Sequence, residues 1–212
     1  MSTPDVSKFF EANEKKLHEV LEVEKSADWK LSKEDGDLKI FTRYVPDSSY
    51  SQLMSYISIP ATIEAVVKNL QTIPKIEEGH PADGFAEKYA FAETHDDHDS
   101  KFYYYAVESG SRLVSNRDFI NIRRMYKDGE RYVFVTNAVD DDVKPASKKY
   151  VRGKIIFQAH IAEQDKEKPG NVKLTFLVHT DPAGSIPAAI YNMAIQKQGY
   201  SIKKIADACK NA

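Results

Sequence analysis

The sequence predicts a single α+β domain over residues 1–212: a curved antiparallel sheet with a long last helix available to its concave side. Three observations carry this reading. From Phe85 to Thr180, apolar residues recur at every second position through six successive segments, the mark of strands. The connections between them are short and rich in Asp, Gly and Pro, as in an antiparallel meander. Both ends of the chain switch to the helical period. No repeat, low-complexity tract or linker divides the chain.

Residues 4–25 read as the first helix. Pro4 and Asp5 suit its first turn, and Phe9, Phe10, Leu17, Val20 and Leu21 recur at near-helical spacing among charges. Trp29–Leu31 and Leu38–Val45 are strand-like, parted by a Glu-Asp-Gly-Asp turn at 34–37. Tyr50–Ile59 alternates and Pro60 stops it. Thr62–Gln71 then makes a short helix with Ile63, Val66, Val67 and Leu70 on one side. Pro74–Gly84 reads as irregular from its Pro, Gly and Asp content. The six strands follow at Phe85–Phe91, Lys101–Val107, Asp118–Tyr126, Arg131–Ala138, Tyr150–Ala162 and Asn171–Thr180. Asp181-Pro182-Ala183-Gly184 forms a turn, Ser185 suits an N-cap and Pro187 an early helical position, and a helix follows over about 185–210. Its apolar stripe reads as Ile186, Ile190, Met193, Ala194, Ser201, Ile205 and Ala208.

The bulk numbers exclude several classes. A net charge of −2 gives no electrostatic case for nucleic acid. One cysteine, Cys209, leaves no intramolecular disulfide and fits a reducing compartment. No apolar run reaches the length of a membrane span, and the first ten residues lack a signal peptide's apolar core. The expected localisation is cytoplasmic.

Several strands carry large apolar residues on both faces, which a one-sided sheet does not require. Val172, Leu174, Phe176 and Val178 share one face of the last strand; Ile155 and Phe157 share a face of the one before it. On Asp118–Tyr126 one face holds Phe119, Asn121, Arg123 and Met125. An unpaired arginine in a solid core is very unfavourable, whereas a chamber that holds a polar head and an apolar tail needs such a mixture. The alternative is that this face meets solvent and the other is core.

Ser115-Asn116-Arg117-Asp118-Phe119, Tyr150-Val151-Arg152-Gly153 and Asp181-Pro182-x-Gly184-x-Ile186-Pro187 followed by Asn192 resemble, in order and spacing, the START family of lipid-transfer domains. The resemblance runs from Trp29 to the Ala208-Cys209-x-Asn211 ending, and is most like the phosphatidylcholine-transfer branch. It implies a helix-grip fold, in which the sheet wraps the C-terminal helix and one lipid lies in a tunnel between them. It also implies a buried-arginine role for Arg123 and a headgroup-proximal one for Phe119. Many members place a carboxylate on the preceding strand, where this chain has Tyr104 or Ala106, so Arg123 is expected to lack that partner and to favour a phosphate. Tyr104, Asn121, Met125, Ile155, Phe157, Leu174, Phe176, Val178, Ile190, Met193 and Ala194 complete the expected lining. Lys75 and Glu78 are further headgroup candidates.

Other constellations read as structural. His95-Asp96-Asp97-His98-Asp99 and Asp140-Asp141-Asp142 are polar turns rather than metal sites, so neither metal nor cofactor is expected. Arg117, Asp118 and Arg152 read as braces between loop and sheet. No nucleophile elbow, P-loop or dinucleotide fingerprint is present. The function expected is non-enzymatic carriage of one lipid, a glycerophospholipid rather than a sterol, with transient contact at a membrane surface. The alternatives are a helix-grip cyclase or hydrolase, for which only Arg123 and His179 offer acid–base chemistry, and a sterol-binding or lipid-sensing module.

Overall fold

The computed structural model describes residues 7–72, 96–109, 114–139 and 143–210, and residues 85–94 by backbone alone. The expected helix start at Pro4, the irregular 74–84 stretch with Lys75 and Glu78, His95, the 140–142 acidic run and Asn211 lie outside the described residues. Helix α1 covers Lys8–Glu24, followed by β1 (Lys30–Asp35), β2 (Leu38–Val45), β3 (Ser48–Ile59) and α2 (Ile63–Gln71). Then come β4 (Phe85–Thr94), β5 (Ser100–Val107), β6 (Arg117–Asp128), β7 (Arg131–Ala138), β8 (Val151–Arg152), β9 (Lys154–Gln164) and β10 (Val172–Asp181). The chain ends in α3 (Ala188–Gln198) and α4 (Ser201–Lys210).

Among the described residues, ten strands join one sheet in the order β1-β2-β3-β10-β9-β7-β6-β5-β4, with β8 on β6. Every neighbouring pair is antiparallel except β6–β8. The sheet curls about the C-terminal helices in a helix-grip arrangement. Its outer face carries α1. Phe9 packs there with Phe102, Tyr104, Ile120 and Ile122, while Val20 packs with Val133, Val135, Phe157, Ile161 and Leu177. Buried Asn13 fixes the register of α1, donating to Asn137 Oδ1 at 2.6 Å and Val135 O at 3.2 Å and accepting from the Tyr126 hydroxyl at 2.8 Å. The inner face carries a second core: Ile40, Leu53, Ile57, Leu174, Phe176 and Val178 packed by Val66 and Leu70 of α2 and by Tyr191, Ile195, Ile202, Ala206 and Cys209 of α3 and α4.

Two expectations are corrected. The last helix is interrupted at Gly199–Tyr200, giving two helices. Its buried face is Tyr191, Ile195, Gly199, Ile202, Ile205, Ala206 and Cys209; of the expected stripe Ile205 is buried and Ile186 packs against the core, while Ile190, Met193 and Ala194 are exposed. Gly199 explains the shift: a Cβ there would stand 3.0 Å from the Ile40 side chain, so the bare backbone lets the helix pair approach β2 on this side. The strand expected over Tyr150–Ala162 is also divided. Gly153 separates β8 from β9, and a bulge opposite His179 and Thr180 skips Ile156. Ile155 thereby shares the inner face with Thr180, while Phe157 turns outward to the α1 core.

Candidate functional site

The sequence motifs build the frame of the inner face. Asp118, at 0% exposure, takes both prongs of Arg152 at 2.9 Å, joining β6 to β8. Arg152 also donates to Lys144 O at 3.1 Å. Arg117 donates to Pro182 O and Ala183 O, each at 3.2 Å, and to Ser115 O, so it holds the β10–α3 turn against the end of β6. That turn needs two left-handed residues, Ala183 at φ 52° and Gly184 at φ 65°, and Asp181 supports it by accepting from Ala183 N at 2.8 Å. Gly153 completes the frame, because any Cβ there would overlap the Phe119 ring. Asn192 closes the far side, accepting from Ser51 N at 2.9 Å and fastening α3 to β3.

Inside this frame the inner face has two chemical halves. Around β3 and β10 it is apolar and covered by the helices. Across β5, β6, β7 and β9 it carries Tyr103, Tyr105, Phe119, Asn121, Arg123, Thr136, Gln158 and His160, placed on one face by the registers Tyr103↔Asn121, Tyr105↔Phe119, Arg123↔Thr136 and Thr136↔Gln158. Tyr105 stacks on Phe119 at 5.0 Å and on Tyr103 at 6.0 Å. Burial pushes both phenols above their ordinary range, so each is a neutral hydroxyl.

Arg123 is 2% exposed. Its guanidinium lies 4.8 Å over the Phe134 ring, reaches His160 Nδ1 at 3.4 Å and donates to Leu70 O at 3.3 Å. Lys101, its register partner on β5, donates to Gln71 O, and Thr72 Oγ1 donates to Asn69 O at 2.7 Å. The last carbonyls of α2 are therefore closed by two cations and a hydroxyl, which suits the negative end of the helix dipole. Among the described residues no carboxylate pairs with Arg123. Asp99 acts on it only from beyond Lys101, which it meets at 3.8 Å. Burial lowers the guanidinium to about 10, so it stays charged at neutral pH. Burial and then Arg123 hold His160 well below its ordinary 6.5, leaving a neutral imidazole whose Nδ1 accepts. Asn121, at 0% exposure, has no partner for either amide atom.

A family model described as the START domain matches residues 65–209, more than half of the chain. The chain belongs to the START domain family. Solved structures of the same fold include human STARD10, with 20% identity, coverage of 99% of this chain and 81% of that one, and a TM-score of 0.74. Human StAR-related lipid transfer protein 5 matches at 16% identity, covering 97% and 98%, with a TM-score of 0.76. A STAR-related lipid transfer protein fragment from Xanthomonas axonopodis matches at 22% identity, covering 86% and 99%, with a TM-score of 0.69.

In this START domain the expected lining divides. Phe119, Asn121, Arg123 and Met125 share the inner face of β6, and Ile155 joins them by register. Leu174, Phe176 and Val178 are on that face too, but packed against the helices. Tyr104 and Phe157 stand on the opposite face, in the α1 cores; the register of β5 turns Tyr103 and Tyr105 inward instead. Ile190 is 49% exposed and Met193 69%, and Ala194 is exposed beside them. The sequence reading missed His160, Thr136 and Gln158. Their signal was period-2 alternation carried across three strands, which needs the bulge at Ile156 to be known.

The acidic turn before β5 has structural work. Asp96 accepts from Ser100 Oγ at 2.8 Å, from Ser100 N at 3.1 Å and from Arg124 Nη2 at 3.1 Å, while His98 Nδ1 meets Met125 O at 2.9 Å. Among the described residues no group of three metal-ligand side chains converges. None of the described helices is long and apolar enough to cross a membrane.

Proposed function

We propose that this START domain binds one glycerophospholipid and carries it between membranes without altering it. The observation that carries this reading is the buried Arg123, charged, facing inward and paired with no carboxylate among the described residues. Its two hydrogen-bond acceptors, His160 and Leu70 O, are neutral and lie at 3.3–3.4 Å. A phosphodiester supplies the missing negative charge and can accept two N–H donors, whereas a sterol hydroxyl offers one neutral acceptor. The acyl chains supply the driving force for enclosure: a sixteen-carbon chain left in water costs about 12 kcal/mol at roughly 0.8 kcal/mol per CH2. The exposed Ile190, Met193 and Ala194 give α3 an apolar stripe for brief contact with a bilayer.

Native mass spectrometry of the purified protein, with organic extraction of its ligand, tests the reading directly. A glycerophospholipid recovered intact is the expected result, and vesicle-to-vesicle transfer is expected without chemical change to the lipid. A recovered sterol, or a lipid returned hydrolysed or cyclised, would overturn it. Arg123→Met should weaken phospholipid capture at least tenfold, since charge-assisted bonds contribute about 1.5–3 kcal/mol each. Full transfer by a folded Arg123→Met protein would remove the arginine from the account.

A further inference from the structure

Asn121 is fully buried with neither amide atom bonded. Because both ends are unpaired, interchanging the oxygen and nitrogen leaves the situation unchanged. Across the sheet its neighbours are Tyr103 on β5 and Ala138 on β7, and along β6 it stands between Phe119 and Arg123 on the same inner face. Ala138 offers no side-chain group to bond. Such an amide offers two donors and one acceptor to a ligand held against this face. Its donors add to those of Arg123, and a phosphate would satisfy either. The acceptor differs. It calls for an N–H or O–H, and it faces a surface whose principal charge is another donor, the Arg123 guanidinium.

We propose that Asn121 selects, among glycerophospholipids, those whose head carries a hydrogen-bond donor close to the phosphate, a primary or partly methylated ammonium or a hydroxyl, over a quaternary ammonium. This rests on the phospholipid reading above. Side chains two residues apart on a strand stand roughly 7 Å from one another, so a head group that runs along β6 from a phosphate on Arg123 reaches Asn121. A trimethylammonium brings only methyl groups to the Asn121 oxygen and leaves it unpaired and buried, whereas one remaining N–H satisfies it. The same geometry sets the order expected along a methylation series. Capture should hold through the mono- and dimethylated heads and fall at the third methyl, because charge and chain length are unchanged while the last donor is lost.

The test uses donor vesicles of one host lipid doped in turn with fluorescent phosphatidylethanolamine, its N-methyl and N,N-dimethyl forms, and phosphatidylcholine, all with the same acyl chains. The full protein should capture the first three about tenfold better than phosphatidylcholine, with the step at the last methylation. Asn121→Leu should remove the step, so that all four lipids are captured alike. Equal capture of all four lipids by the unaltered protein, or a preference that persists in Asn121→Leu, would overturn the assignment while leaving the phospholipid reading in place. Capture of none of the four would overturn the phospholipid reading itself. The wild-type series decides the matter alone if the variant fails to fold.

Discussion

Arg123 and His160 meet on the inner face, and their chemistry has a pH signature. His160 sits 3.4 Å from the guanidinium and 5.0 Å from the Phe176 ring. Protonating it would place a second buried cation beside the first. Its folded pKa is held well below 6.5, by burial first and by Arg123 second. A base whose pKa falls on folding contributes stability that is complete above its unfolded value and is lost as pH drops below that value toward the folded one. The affected window therefore opens near pH 6.5 and extends downward. Over the pH range where it stays neutral in the folded protein, such a histidine gives a slope of at most about 1.4 kcal/mol per pH unit. His179, also lowered by burial, adds in the same direction. Urea unfolding at a series of pH values should show this decline. His160→Gln, which keeps an acceptor for Arg123, should flatten it by one proton's worth. An unchanged slope in that variant would show that His160 does not bear the lowered pKa.

At the level of elements, the close contacts sit where glycine takes the place of a side chain. Gly153 lets the Phe119 ring lie directly on the chain between β8 and β9. Gly153→Ala should force that ring off its stack with Tyr105, destabilising the domain by about 1–3 kcal/mol as overpacking does. Thermal unfolding beside near-ultraviolet circular dichroism would register both effects; an alanine variant with wild-type stability and spectrum would mean the ring yields freely. The same glycine logic marks where the sequence was legible. Strand identity was plain, because alternation along β6 and β10 is local and places Arg123 and Phe176 without further knowledge. Which face a strand turns inward is not local. Tyr103, Tyr104 and Tyr105 are three equal aromatics, and only the pairing of Tyr105 with Phe119 decides among them. On the last helices the apolar stripe favoured Ile190 and Met193, yet the face chosen centres on Gly199, whose importance lies in what it lacks. Hydrophobic pattern records which residues prefer burial; backbone approach, bulges and register decide which of them achieve it.

Across the whole molecule, the described helices α2, α3 and α4 cover the apolar half of the inner face, and the polar half around Arg123 and Asn121 belongs to β5, β6, β7 and β9. A carrier that shields acyl chains must open to load and close to travel, since desolvation of the chains is what makes free diffusion slow. The α3–α4 pair is suited to be the moving part. Beyond its apolar packing on β3, α3 is fastened to that strand by the Asn192 bond to Ser51 N, with Tyr50 edge-on to Tyr191 at 4.7 Å. Under the proposed carrier function, its outward stripe of Ile190, Met193 and Ala194 would meet the bilayer if the helix lifts. If that movement is required, fixing α3 to β3 should separate binding from transfer. Cysteines at Ser51 and Asn192 stand at two residues already bonded to each other, and the natural Cys209 is buried away from them against α2. Protein loaded with lipid and then oxidised should retain its ligand while vesicle-to-vesicle transfer falls at least tenfold, and a reductant should restore the rate. Unchanged transfer in the fully oxidised protein would place the opening elsewhere on the molecule and leave α3 as a fixed wall.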